Sequence, residues 1–163
     1  MTVQLPIKLP KAKKREVRSQ FGALVYRVKN DELQILLITS RRTGRWIIPK
    51  GWPMLGKRPA VSAGQEAWEE AGVKGEVSDQ CLGVYSYYKT NTRFGTLPCL
   101  VNVYPVATRK LKKTYPEVGQ RRRKWFNPKK AAKLVREPEL ARLIKSFDPE
   151  AMGLPLDSNS ESE

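Results

Sequence analysis

Glu66, Glu69 and Glu70 fall within five residues of one another, and in a helix they project from the same side. Clustered carboxylates are what a hard divalent cation such as Mg²⁺ prefers, so in outline the three form a metal nest. The alternative is a solvated acidic face, since like charges at this spacing cost an exposed helix only about a few tenths of a kcal/mol. Context favours the metal. The 163-residue chain carries 31 Lys and Arg against 16 Asp and Glu, a net charge of +15. Residues 1–18 hold +5 and residues 153–163 hold −3, leaving +13 between them. Acids in so basic a body suggest a metal ringed by phosphate-binding cations.

The chain contains no histidine, which removes Ser-His and Cys-His nucleophile pairs and every His-containing zinc site. Cys81 and Cys99, the only cysteines, lack metal-ligand spacing and read as reduced core residues. Carboxylate chemistry aided by a hard cation remains. No stretch reaches the roughly 18 apolar residues of a membrane span, and the basic start has no secretory core or cleavage site. A cytoplasmic protein of one domain is expected, with no membrane contact, as monomer or homodimer, and with an anionic partner.

The elements that must position these groups read as follows. Residues 1–18 form a basic arm, residues 19–152 the domain, and residues 153–163 an acidic tail expected to be disordered. Phe21 to Val28 and Leu33 to Thr39 are apolar, β-branched runs joined through Lys29 to Glu32, a hairpin. A short strand at Trp46 to Ile48 leads to the rigid turn Pro49-Lys50-Gly51-Trp52-Pro53. Pro59 suits a first helical position and Gly72 a left-handed terminus, which bounds a helix over 59–71. Ala60, Ala63, Ala67 and Ala71 form its small-residue stripe, with Val61 and Trp68 extending the buried side. Strands are expected near Cys81 to Tyr88, Leu97 to Ala107 and Arg122 to Phe126. Asn127 then caps a helix beginning at Pro128, and a last helix runs from Pro138 to Phe147. This order implies an α/β (α+β) fold: a mixed sheet with helices on its faces, without the repeated units of a doubly wound sheet.

At the acidic helix the sequence resembles the Nudix hydrolases, whose signature is G-x5-E-x7-R-E-U-x-E-E-x-G-U, with U a bulky aliphatic residue. Here Gly51 is followed at that spacing by Gln65-Glu66-Ala67-Trp68-Glu69-Glu70-Ala71-Gly72-Val73. Trp46 to Gly51 looks like the strand and turn before the box. Gly119 to Phe126, Gly-Gln-Arg-Arg-Arg-Lys-Trp-Phe, is similar to the closing strand of diphosphoinositol polyphosphate phosphohydrolases. The likeness spans roughly residues 20–147 and implies an α/β/α sandwich with the box helix packed on the sheet. Lys57 stands where the first glutamate belongs, Gln65 replaces the arginine, and Ala67 replaces a larger aliphatic. In the family that glutamate and arginine support the metal helix, so their joint loss reads as one ion pair removed; a lone buried half would cost more.

The resemblance implies that Glu66, Glu69 and Glu70 bind Mg²⁺ or Mn²⁺, that one of them takes a proton from the attacking water, and that the Gly51 carbonyl is a further ligand. It also implies an added catalytic or metal-binding role for Glu117, the only acid between Arg109 and Lys133. Arg41, Arg42, Arg45 and Lys50 bracket the strand entering the box and are candidate phosphate grips. Lys110, Lys112, Lys113 and Arg121 to Lys124 form a second basic group, of which alternation lets only part face a ligand. Arg121 and Arg123 are the candidates taken from it, with Arg93; Tyr87, Tyr88 and Arg93 could wall a base or inositol ring, against plain packing. The expected function is a metal-dependent pyrophosphohydrolase acting on a diphosphoinositol polyphosphate or a dinucleoside polyphosphate, with triphosphorylated RNA ends ranked below these. Against it stand a catalytically weak binding module, favoured by Lys57 and Gln65, and a plain RNA binder, which no RNP-like motif supports.

Overall fold

A computed structural model describes residues 17–92 and 95–156. Its strands are β1 (Arg18–Lys29), β2 (Glu32–Thr39), β3 (Trp46–Ile47), β4 (Lys50–Gly51), β5 (Val73–Val77), β6 (Gly83–Thr92), β7 (Gly95–Leu111) and β8 (Arg123–Phe126). Its helices are α1 (Pro59–Ala71), α2 (Pro128–Leu134) and α3 (Pro138–Ser146). They build one mixed sheet in which β3, β2, β1, β7 and β5 lie side by side, while β4 adds to β1, β8 to β2 and β6 to β7. Among the described residues only the β1–β7 pairing is parallel; the others are antiparallel.

The continuous apolar character of β1 and β2 follows from their central place, where both faces are covered. Ala23, Val25, Leu36 and Ile38 point to the α1 side, whereas Leu24, Tyr26, Ile35 and Leu37 point to the side of α2 and α3. The layers are therefore helix, sheet, helix, as expected. Asn30 and Asp31, both at positive φ, close the β1–β2 hairpin with the twist that such two-residue turns favour. Asn127 caps α2 by accepting from the Lys130 amide at 2.7 Å.

The alanine stripe of α1 is buried as expected, and its small size lets the helix lie close against β1 and β5. Val61 corrects the expectation of a buried flank, being 39% exposed, and Trp68 is half-buried beneath the Lys74 ammonium. Cys81 is likewise exposed; only Cys99 is a core residue, and both are free thiols. The strand β5 was not anticipated, because Val73–Val77 alternates poorly and begins one residue beyond the helix terminus. Leu154 is buried and Tyr26 donates its hydroxyl to the Pro155 carbonyl at 2.7 Å, while residues 1–16 of the expected arm and 157–163 of the expected tail lie outside the described residues. No helix among the described residues is long and apolar enough to cross a membrane.

Gly72 ends α1 at φ +69°, and a Cβ there would meet the Tyr115 ring at 2.5 Å. Gly72→Ala is therefore expected to destabilise the chain by about 2 kcal/mol through combined backbone strain and overpacking. An unchanged melting temperature would contradict that.

Candidate active site

Two short strands and one helix meet at the site. The turn after β3 brings Lys50 and Gly51 beside Gly22 and Phe21 of β1, and α1 returns across it. Gly51 and Glu66 approach so closely that a Cβ on Gly51 would overlap the Glu66 carboxylate. Glycine is required here by close approach rather than by its φ. The Glu70 carboxylate accepts the Lys50 amide at 3.3 Å and lies 3.4 Å from the Arg121 guanidinium. Both side chains are almost wholly buried, at 9% and 8% exposed.

The loop between β7 and β8 completes this wall. The Glu117 amide donates to the Glu69 carbonyl at 3.0 Å, which fastens the loop to α1. Glu117 lies 3.7 Å from Arg121 and 3.9 Å from Arg41, and Arg41 also donates to Gln120 at 3.2 Å. Arg121 additionally donates to the Thr39 carbonyl at 3.2 Å. The result is a cleft of about 420 Å³ lined by Arg41, Lys50, Lys89 and Arg121, by Glu66 and Glu70, and by Gly51, Trp52 and Tyr87 among others.

Its electrostatics are frustrated in a way that a cation would relieve. Burial, and then Glu70, Glu69 and Glu117, push the Glu66 carboxyl up to about 7, with Arg121 opposing. Burial also raises Glu70, against the pull of Arg121 and Lys50. Burial lowers the Lys50 ammonium to about 8, Glu70 acting the other way. That ammonium stands 5.0 Å over the Tyr87 ring, whose hydroxyl donates to Gln20 at 2.5 Å.

The three box carboxylates do not all converge. Gln65 donates to Glu69 at 3.1 Å, and among the described residues no three acidic side chains meet at one point as they stand. The Glu66 carboxylate, by contrast, faces Gly51. A partly buried, mutually repelling oxygen donor set beside a backbone that leaves room for nothing larger than hydrogen fits a hard divalent ion.

Several expected site residues are placed elsewhere. Arg45 contacts Glu137 at 2.7 Å and lines a different cavity, so its charge is already matched. Arg123 is structural: it donates to the Ala71 carbonyl at 2.6 Å and the Lys112 carbonyl at 2.8 Å, taking up a terminal acceptor of α1. Arg42 is exposed outside the cleft. Arg93 lies outside the described residues. Sequence reading missed Gln20, Trp52 and Lys89. Gln20 follows Arg18 and Ser19 at the polar start of β1 and carried no sequence signal, whereas adjacency to Gly51 was the signal for Trp52.

With a turn that lays a glycine against a carboxylate helix, on a mixed sheet covered on both sides, the comparisons with known proteins agree on the class: a phosphoanhydride hydrolase. Residues 18–147 match the NUDIX domain, and the chain belongs to the Nudix family. It is similar to Nudix hydrolase 13, mitochondrial, of Arabidopsis thaliana, 27% identical over 77% of this chain and 71% of that one. It also resembles the human diphosphoinositol polyphosphate phosphohydrolase 3-beta, 27% identical over 72% of this chain and 69% of the relative. Among solved structures, a C. elegans Ap4A hydrolase binary complex superposes with a TM-score of 0.61 at 18% identity, covering 84% of this chain and 99% of the other. Nudix hydrolases generally use divalent metal ions, so this site is read with one.

Of the three departures from the signature, the two polar ones leave no orphaned charge. Lys57 is exposed, and Gln65 is satisfied by Glu69. The double substitution Lys57→Glu with Gln65→Arg is thus expected to shift stability by less than about 1 kcal/mol. Marked unfolding in a denaturant titration would overturn the reading of one removed ion pair.

Proposed function

We propose that this chain is a metal-dependent pyrophosphohydrolase that cleaves a phosphoanhydride in a highly phosphorylated small molecule, a diphosphoinositol polyphosphate or a dinucleoside polyphosphate. The observation that carries the reading is the cleft itself, where the buried Glu70, the half-buried Glu66 and Gly51 face four cationic side chains. Glu66 and Glu70, with the Gly51 carbonyl and Glu69 after release from Gln65, would hold Mg²⁺ or Mn²⁺. Such an ion lowers the pKa of bound water and shields phosphate oxygens.

The chain's own groups supply the rest. Hydrolysis forms a bond from water oxygen to phosphorus as the bridging P–O bond breaks, with the bonding pair leaving on the departing phosphate. The water's proton passes to a carboxylate of the cluster. Arg41, Lys89 and Arg121 bind non-bridging oxygens, arginine by paired donors and lysine as a point charge. Lys50, held beneath Glu70 and over Tyr87, balances the carboxylates and orients that wall. Glu117 positions Arg41 and Arg121.

The deciding experiment measures phosphate or pyrophosphate release, with and without Mg²⁺ or Mn²⁺, across inositol pyrophosphates, dinucleoside polyphosphates, nucleoside triphosphates and 5′-triphosphorylated RNA. Metal-dependent release, absent from Glu70→Gln, is the expected result. Silence across the panel with tight binding of one ligand would make the chain a sensor instead.

A further inference from the structure

Alternation divides the basic run Arg121 to Lys124 between the two faces of the sheet, and the cleft and its scaffold use only one half of it. Arg121 and Arg123 turn toward α1, where carboxylate and carbonyl oxygens hold them. Arg122 and Lys124 turn the other way and are exposed. Arg122 extends β8 alongside Thr39, its carbonyl accepting the Thr39 amide at 3.0 Å, and Lys124 lies opposite Leu37 of β2. Leu37 belongs to the core beneath α2 and α3, so both cations emerge on the side where α2 packs against β2.

Aromatic rings accompany them. The Arg122 guanidinium stands 5.5 Å from the Trp46 ring, the Lys124 ammonium 5.5 Å from the Phe126 ring, and the two rings meet edge to face at 5.0 Å. Lys129, Lys130 and Lys133 then continue the ribbon along the exposed side of α2. Two of these sit in the first turn, where the helix dipole disfavours positive charge and no acid offsets it. From Val118 to Arg136 the sequence holds no Asp or Glu, and none of the five cations forms an ion pair among the described residues. An ordinary solvated surface mixes both signs; this one keeps a single sign together against its own repulsion. None of the five lines the cleft or the neighbouring cavity that shares Tyr87 with it.

The arrangement selects the partner. Residues two apart on a strand are separated by roughly 6–7 Å and those three or four apart on a helix by roughly 5–6 Å, so the charges are strung in a line rather than gathered about one point. A line of single charges suits a chain of phosphates. A guanidinium laid on an indole, with aromatic rings beside it, adds flat surface that stacks on unpaired bases, whereas a duplex keeps its bases stacked on one another. A membrane surface would call for exposed apolar side chains among the lysines, and Trp46 and Phe126 are half-buried.

We propose that this ribbon of β8 and α2 binds single-stranded nucleic acid along its phosphate backbone, without sequence preference. The surface is separate from the cleft, and the inference stands whether or not the cleft hydrolyses.

Fluorescence anisotropy of the full chain with a short, 3′-labelled oligouridylate tests it, the probe carrying a 5′-hydroxyl so that no terminal phosphate is offered to the cleft. Affinity is expected to fall with salt on a logarithmic slope of about −3.5, at about −0.7 for each of five neutralised phosphates. Lys129→Gln, Lys130→Gln and Lys133→Gln combined should reduce that slope to about −1.4 and weaken binding about tenfold or more at low salt. Lys74→Gln, Arg109→Gln and Lys113→Gln combined remove as much charge from exposed positions elsewhere and should change affinity less than threefold. Arg122→Lys keeps the charge but loses the flat stack, and should weaken binding at least twofold at an unchanged slope. Failure to bind would overturn the proposal, as would equal losses in the two triple variants or insensitivity to both the α2 triple variant and Arg122→Lys. Tighter capture by phosphatidylserine vesicles than by the oligonucleotide would overturn it in favour of a membrane surface.

Discussion

Glu70→Gln is expected to lower kcat/KM about a thousandfold, the several kcal/mol that a metal-held transition state provides, while the chain stays folded. Glu70 is the best buried carboxylate of the site and joins both halves of its wall, accepting the Lys50 amide beside Gly51 and facing Arg121. Glutamine keeps the shape and can still accept that amide through its carbonyl oxygen. It cannot supply the negative charge that holds a cation. Burial already disfavours the ionised carboxylate, so a neutral replacement should move the melting temperature little. Arg121 keeps the Thr39 carbonyl and Glu117 as partners. Near-normal turnover in this variant would remove the metal-helix assignment, and gross unfolding would show Glu70 to be structural first.

Gly51→Ala is the second large effect, and it separates site from scaffold. The added methyl would overlap the Glu66 carboxylate, which is the far end of a flexible side chain and can swing aside. Stability should change by about 1 kcal/mol or less, because Gly51 needs no left-handed backbone and no rigid neighbour is struck. Activity should fall about a hundredfold, since a misplacement on the scale of an ångström costs that much when groups must converge. Equal losses of stability and activity would assign Gly51 to the turn alone. Unchanged activity would show that the Glu66 carboxylate need not face the turn.

The box was legible because its information is local. Glu66, Glu69 and Glu70 share a helix face whatever the helix packs on, Pro59 and Gly72 bound that helix, and Gly51 follows a recognisable turn. The alanine stripe was legible for the same reason. The basic side chains were harder. Arg41, Arg45 and Arg123 have the same long, charged chemistry, yet Arg41 lines the cleft, Arg45 is taken by Glu137 nearly a hundred residues away, and Arg123 holds backbone carbonyls. Their partners come from distant parts of the chain, and no periodicity encodes a distant partner.

What the sequence determined by itself is the set of groups able to do chemistry: three carboxylates, no histidine, and a basic body that calls for an anion. Helix geometry at 3.6 residues per turn is enough to bring those carboxylates to one side. Only the tertiary structure decided which of them meet Gly51, which arginines remain to meet phosphate, and that Tyr87 belongs to the walls of both the cleft and the cavity beside it. Those outcomes depend on burial and on which opposite charge arrives first at each guanidinium. Both are properties of packed surfaces far apart in the chain, and they exist only once β1, β6, α1 and α3 have come together.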